Sequence, residues 1–250
     1  MQFIRFRKDN LISYGKVSGQ KVNRIEGDIF SNYLVTEEIY NPADIELLTP
    51  CSPTKIICVG LNYKSHALEM GFELPDEPII FLKPLTSALP HGKAIIKPRM
   101  SERVDFEAEL ALVIGKEAFD IEPEEAGEYI FGATCFNDVT ARDLQEKDGQ
   151  WARAKSFNTF APFGPNITTD IDYDNLNIEL IKNCKVMQKS NTSDFIFNSR
   201  KLVSFISQIM TLYPGDIIAT GTPSGIGAVE SGDIVEVKIE EIGILKNPVR

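Results

Sequence analysis

VDFEAELALVIG, residues 104–115, decides the fold of this 250-residue chain. Val104, Phe106, Ala108, Leu110, Leu112 and Ile114 recur at every second position, which is the period of a β-strand. Asp105, Glu107 and Glu109 therefore share the opposite side. Residues two apart on a strand lie ~6.6 Å apart at Cα, so two glutamate side chains there can converge on one ion. Adjacent anions on one face repel, and burying them unpaired is costly. Such a face calls for a cation or for solvent, and these residues alone leave both open. Working outward, IFGATCFNDV (130–139) reads as the next strand, with Asp138 near its end. Glu107, Glu109 and Asp138 then form one candidate cation site.

Upstream, KIICVGL from Lys55 is a short apolar run that suits a buried strand. In NYKSHALEMG, Asn62 or Ser65 is placed to cap a short helix and Gly71 to end it. His66 and Glu69 stand three apart on that helix and share a face. A loop-borne histidine just past a buried strand is placed for acid–base work, while a surface pair is the plainer alternative. PIIFLKP is another strand, ending at Lys83. DIEPEEAGEYI reads as an acidic helix with Pro123 in its first turn, a solvated scaffold element.

Downstream, Arg142, Gln145 and Lys155 fall in VTARDLQEKDGQWARAKSF, which no simple amphipathic helix explains. Arginine suits a carboxylate because its planar fork binds both oxygens, and lysine offers a point charge for an enolate. Trp151, the sole tryptophan, reads as core or interface. NIELIKNCKVMQKSNTSDFIF gives two strands with a turn. RKLVSFISQIMTLY puts Leu202, Phe205, Ile206, Ile209 and Met210 at helical spacing, a core-packing stripe. PGDIIATGTPSGIG and SGDIVEVKIEEIG are strands introduced by Gly-Asp. Gly221, Gly225 and Gly227 let backbone N–H groups approach an anion, with Thr222 adding a hydroxyl. GTPSGIG lacks the Gly-Lys-Ser/Thr ending of a phosphate-binding loop.

Residues 1 to about 50 alternate in short pieces broken at Asp9-Asn10 and Ser18-Gly19, as a β-meander does. TEEIYNPADIELLTP reads as a connector to the rest, since Pro42, Pro50 and Pro53 interrupt regular structure. With 43% hydrophobic and 25% charged residues the composition is that of a globular protein. The net charge of -10 argues against a nucleic-acid partner, which needs a basic stripe. Cys51, Cys58, Cys135 and Cys184 show no metal or disulfide spacing. The N-terminus lacks a secretory apolar segment, and no apolar run reaches membrane-spanning length, so a cytoplasmic protein is expected.

In order, NYKSHALEMG, PIIFLKP, DFEAELALVIG, CFNDVTARDLQ, AKSF and GDIIATGTPSGIG resemble the fumarylacetoacetate hydrolase family over residues from about 53 to 240. The resemblance implies a mixed, β-rich α+β fold, a mostly antiparallel β-roll with few helices over 51–250, preceded by a small N-terminal β domain over 1–50 and usually assembled as a homodimer. It implies magnesium or manganese on Glu107, Glu109 and Asp138. It places His66, Glu69 and Lys155 as catalytic residues and Arg142, Gln145 and Thr222 as substrate-binding ones. The implied activity is a divalent-metal-dependent hydrolase or decarboxylase that cleaves a C–C bond in a short 2,4-dioxo or 2-oxo acid such as an acylpyruvate or oxaloacetate. The alternative is an isomerase of 2-hydroxyhepta-2,4-diene-1,7-dioate-type acids in aromatic catabolism. A third reading, a metal-stabilised scaffold, is disfavoured because a structural ion needs neither the His66–Glu69 dyad nor Lys155. Two departures stand out. VGLNYKSH lacks the extra aspartate that fumarylacetoacetate hydrolase proper carries before its histidine, and the hairpin that relatives turn with Asn-Gly reads KNCKVMQKS, so a loop of different shape is expected.

Overall fold

The meander at the N-terminus comprises β1 (Gln2–Lys8), β2 (Leu11–Ser18), β3 (Lys21–Gly27) and β4 (Tyr33–Tyr40), followed by a short β5 (Glu46–Leu47), in a computed structural model that describes residues 1–71 and 73–250. Its first turns fall where the turn residues stand, with Asp9 and Gly19 both at positive φ. β4 takes in residues 36–40, which the sequence assigns to a connector. A partner strand decides this, since Val22 pairs with Tyr40 and Ile25 with Val35.

β6 (Ile56–Val59), α1 (Lys64–Met70), β7 (Ile80–Lys83) and β8 (Ala88–Leu89) lead to β9 (Val104–Phe106) and β10 (Ala108–Ile114). β11 (Ile130–Asn137), β12 (Thr140–Ala141), α2 (Arg142–Asp148), α3 (Ala152–Lys155) and β13 (Ala161–Thr168) follow. The last third holds β14 (Asn177–Lys182), β15 (Lys185–Asn191), α4 (Ser199–Ile209), β16 (Ile217–Ala219), β17 (Gly227–Ala228), β18 (Ile234–Ile239) and β19 (Gly243–Pro248). The result is the mostly antiparallel, helix-poor β fold expected.

The main sheet runs β4-β3-β2-β1-β13-β11-β10-β16-β6-β7, with β5 on β1 and β8 on β13. The meander is thus continuous with it, through Gln2 on Thr168 and Phe3 on Ile167. A second sheet, β15-β14-β18-β19, packs against it, and β12-β9-β17 forms a small third one. β10 lies in the middle and is buried along its whole length. Leu110, Leu112 and Ile114 join a core with Leu180 and Val237 of the second sheet and Leu202 and Ile206 of α4. Ala111 and Val113 point the other way, to Phe136, Phe163 and Ile217. Both faces of β10 meet protein, so the side that bears the acids does not face solvent. Burying one large aliphatic side chain contributes about 1.5–3 kcal/mol, and β10 gains this on both of its faces.

β6 and β16 run parallel. Buried Asp216 holds their starts together by accepting from the amides of Thr54 at 2.8 Å, Lys55 at 3.1 Å and Tyr213 at 2.8 Å. Both strands consequently end at one place, and the Gly221 amide after β16 donates to Glu109 Oε2 at 2.9 Å. The anion that the glycine-rich segment approaches is therefore a side chain of the chain itself. Gly221 is required there, for its φ is 96° and a Cβ would stand 2.8 Å from Asn62 Cβ.

Two further expectations are corrected. DIEPEEAGEYI forms no α-helix, only a 3-10 turn at Ala126–Tyr129, because β11 begins directly after it and leaves too few residues to offset helix nucleation. Of the stripe read on α4, Leu202 and Ile206 are buried and Phe205 and Met210 pack partly buried against the same core, while Ile209 is 52% exposed and falls outside it. The β14–β15 hairpin keeps a two-residue turn in which Asn183 and Cys184 both lie at positive φ, 50° and 65°, the geometry an Asn-Gly turn adopts.

Candidate active site

The site begins where the acidic strand breaks. β9 pairs with β12 and β17, whereas β10 pairs with β11 and β16, so the chain changes sheets at Glu107. The amides at the break need partners. Asn137 Oδ1 accepts from Glu107 N at 3.0 Å, and Gln188 Oε1 accepts from Ala108 N at 2.9 Å. Gln188 also donates to Thr222 Oγ1 at 2.9 Å and to Pro223 O at 2.8 Å. Sequence reasoning missed Gln188; a glutamine in an alternating strand carries no signal of burial.

The break turns Glu107 and Glu109 toward Asp138. One carboxylate oxygen from each lies within 4.8 Å of the others, and all three residues are buried. Asp105 does not share their surroundings. It accepts from Arg103 Nε at 2.9 Å and Nη2 at 3.1 Å and from Arg142 Nε at 3.0 Å.

Cations surround the trio. Lys155 Nζ, at the end of α3, donates to Glu107 Oε2 at 2.9 Å and to Asp138 Oδ2 at 2.5 Å. Arg142 reaches Glu107 through Nη2 and Gln145 Oε1 through Nη1 at 2.6 Å. Lys83, at the end of β7, donates to Asp138 Oδ1 and, at 3.1 Å, to Val139 O. Lys83 was not among the residues selected from the sequence. A lysine closing an apolar strand was the available signal, since its ammonium is fully buried and must find an anion.

Burial would raise the Glu107 carboxyl, but Lys155 and Arg142 prevail and hold it down at about 2. Glu109 behaves oppositely. Burial, with the charges of Asp138 and Glu107, pushes its carboxyl well above the usual range. Its hydrogen-bond partner is the Gly221 amide, and no cationic side chain among the described residues pairs with it. A further positive charge between the three carboxylates would relieve that repulsion. The all-oxygen donor set suits a hard divalent ion, so these residues fit magnesium or manganese.

Beside the trio lies a cavity of about 520 Å³, lined by His66, Glu107, Arg142, Gln145, Lys155 and Thr222 among others, Glu107 being the member of the trio in its lining. It brings together side chains that stand far apart in sequence. His66 Nδ1 sits 3.2 Å from Glu69 Oε2, as helical spacing implies. Gly71 ends α1 at φ 68°, but neither Asn62 nor Ser65 caps it as N-cap. Asp194 instead accepts from Ser65 N at 3.0 Å, and Asn62 is used elsewhere, donating to Phe197 O and Thr220 O and accepting from Phe197 N. Thr222 donates its hydroxyl hydrogen to Ala108 O at 2.9 Å, so toward the cavity it offers a lone pair. α2 and α3 are two short helices separated by Gly149 at positive φ, which is why one amphipathic pattern failed to describe the segment. Trp151, read from the sequence as core or interface, is half-buried and lines this cavity.

Asp105 orients Arg142 while remaining outside the cavity lining. Asp105→Asn should cost about 1.5–3 kcal/mol of stability through its charged hydrogen bonds. It should also raise KM more than it lowers kcat, because a loosened Arg142 binds a carboxylate less well. Steady-state kinetics and urea denaturation check this, and an unchanged KM would remove Asp105 from that role.

Residues 55–250 match the family described as fumarylacetoacetate (FAA) hydrolase C-terminal, and residues 1–50 match one described as Rv2993c-like, N-terminal. An uncharacterised protein of Methanocaldococcus jannaschii is 53% identical over 240 residues, covering 96% of this chain and 98% of the relative. A mitochondrial oxaloacetate tautomerase of Xenopus laevis is 42% identical over 226 residues, covering 85% of this chain and 71% of that protein. The crystal structure of a 2-hydroxyhepta-2,4-diene-1,7-dioate isomerase from Mycobacterium marinum superposes with a TM-score of 0.93 at 39% identity, covering 100% of this chain and 98% of its own.

Proposed function

The chain belongs to the fumarylacetoacetate hydrolase family, and from that premise we propose that it is a divalent-metal-dependent enzyme that moves a proton on the carbon beside the oxo group of a small 2-oxo acid, as a tautomerase or isomerase. The observation that carries this reading is one cavity lined by Glu107, Lys155 and His66, with Glu109 and Asp138 clustered beside Glu107 and Glu69 in contact with His66. The tautomerase and isomerase names of the two relatives support it. Among the described residues no helix is long and apolar enough to cross a membrane.

Glu107, Glu109 and Asp138 would hold magnesium or manganese, which when bound supplies an electrophile for the carboxylate and oxo oxygens of a 2-oxo acid and so favours loss of the neighbouring proton. The other residues complete the chemistry. Lys155 places a buried positive charge where negative charge grows on the oxo oxygen, the kind of preorganised stabilisation that favours an enolate. Arg142, steadied by Asp105 and Gln145, offers its fork to a substrate carboxylate. Glu69 engages His66 Nδ1, which leaves Nε2 to take and return the proton.

A second reading is C–C bond cleavage in a 2,4-dioxo or 2-oxo acid, by hydrolysis or decarboxylation. It is favoured by the same dyad, since a histidine held by a carboxylate also activates water for attack on a distal carbonyl. His66→Ala separates the roles. It should lower tautomerisation and acylpyruvate hydrolysis by about 10²–10⁴-fold, while oxaloacetate decarboxylation, which needs no water attack, stays within about tenfold. Equal loss of all three activities would contradict an acid–base role for His66.

A further inference from the structure

The cavity holds its cations next to the carboxylate trio, and away from the trio its lining is apolar apart from Glu73. We infer that the substrate is a 2-oxo acid whose far end is uncharged and apolar and lies against Trp151, with Trp151 and Gly60 setting that preference. This rests on the 2-oxo acid reading and adds the chemistry of the tail.

Three observations carry it. The first is size. A cavity of about 520 Å³ falls in the ~300–1,000 Å³ range of sites that enclose drug-sized ligands, and a four-carbon acid fills only a small part of it. The second is charge. The cations that line it, Arg142 and Lys155, are both paired with carboxylates around the trio. Away from the trio the lining is Leu61, Pro75, Ile79, Trp151 and Ile226, with Glu73 as the charged member. A second carboxylate there would lose water without gaining a cation and would meet an acid.

The third observation is how the wall is built. The Phe81 ring centroid lies 5.0 Å from Lys155 Nζ, and Trp151 packs edge-on against Phe81 with centroids 5.1 Å apart. The indole therefore stands one ring beyond the lysine and lines the same cavity. Its far edge lies on Gly60. A Cβ there would stand 2.6 Å from Trp151 Cη2 and 2.7 Å from Cζ3, with Ile79 Cβ at 3.6 Å. Gly60 has no left-handed φ to require glycine; what it provides is space for the ring. An aromatic face fixed in this way presents a large apolar surface at little entropic cost, and it suits an alkyl or conjugated tail better than a carboxylate.

The test uses pairs of 2,4-dioxo acids of equal chain length, one ending in a methyl or phenyl group and its partner in a carboxylate, with oxaloacetate as a short reference. With magnesium present, kcat/KM should favour the neutral member by at least about tenfold. Trp151→Ala should collapse that ratio toward unity. Gly60→Ala, by driving the indole into the cavity, should penalise the phenyl compound more than the methyl one. Ile79 is 48% exposed, so Ile79→Arg is tolerated by the fold and should shift the ratio toward the dicarboxylate. Equal or better turnover of dicarboxylates by the unmodified protein, or a ratio untouched by both Trp151→Ala and Ile79→Arg, would overturn the tail assignment while leaving the 2-oxo acid reading intact. Failure to turn over or bind any member, oxaloacetate included, would overturn both.

Discussion

Asp138→Asn should destabilise the fold by about 3–5 kcal/mol, the cost of breaking a buried ion pair from one side. Both Asp138 oxygens are committed to ammonium groups, Oδ1 to Lys83 and Oδ2 to Lys155. Lys83 keeps only the Val139 carbonyl when that charge is removed, and its side chain has no exposed surface through which to recover water. Against a total stability of about 5–15 kcal/mol for a typical domain, this is a large fraction. Urea denaturation measures it. The double variant Asp138→Asn with Lys83→Met should recover much of the loss, because the stranded charge is removed together with its partner. A loss below about 1 kcal/mol in the single variant, or no recovery in the double, would show that these charges are not the burden the geometry implies.

Lys155→Met should lower kcat by about 10²–10³-fold, the range typical of removing one donor from a developing oxyanion. The same change should leave divalent-ion affinity equal or higher, because Lys155 Nζ engages the Glu107 and Asp138 oxygens that a metal would use. Turnover and calorimetry must therefore move apart. If both fell together, Lys155 would be organising the carboxylates rather than acting on the substrate.

Much of this was legible in residues 104–115. The alternation placed Leu110, Leu112 and Ile114 on one side and Glu109 on the other, and the structure keeps those sides. The break at Glu107 was not legible, because it is set by partners distant in sequence: Asn137 and Gln188 take the amides at the break, and β12 and β17 take β9. Asp105 was consequently grouped with the glutamates, although it serves Arg103 and Arg142. His66 and Glu69 needed only local helical spacing, so their contact could be read directly. Lys83 and Trp151 needed the whole fold. Nothing in PIIFLKP shows that Lys83 faces Asp138, and nothing near Trp151 shows that Gly60 makes room for its ring.

The central claim is that Glu107, Glu109 and Asp138 form a divalent-ion site, and Glu109→Gln tests it with the least disturbance. Glutamine still accepts the Gly221 amide, and a neutral side chain where burial and the neighbouring carboxylates already disfavour charge should leave the denaturation midpoint unchanged or raised. Titrated calorimetrically after chelator treatment, the unmodified protein should bind one magnesium or manganese ion per chain. Glu109→Gln should weaken that binding by more than about 100-fold, beyond the about 10–100-fold that loss of an outer-sphere partner causes. Binding that is unchanged in Glu109→Gln, or absent from the unmodified protein, would contradict the site.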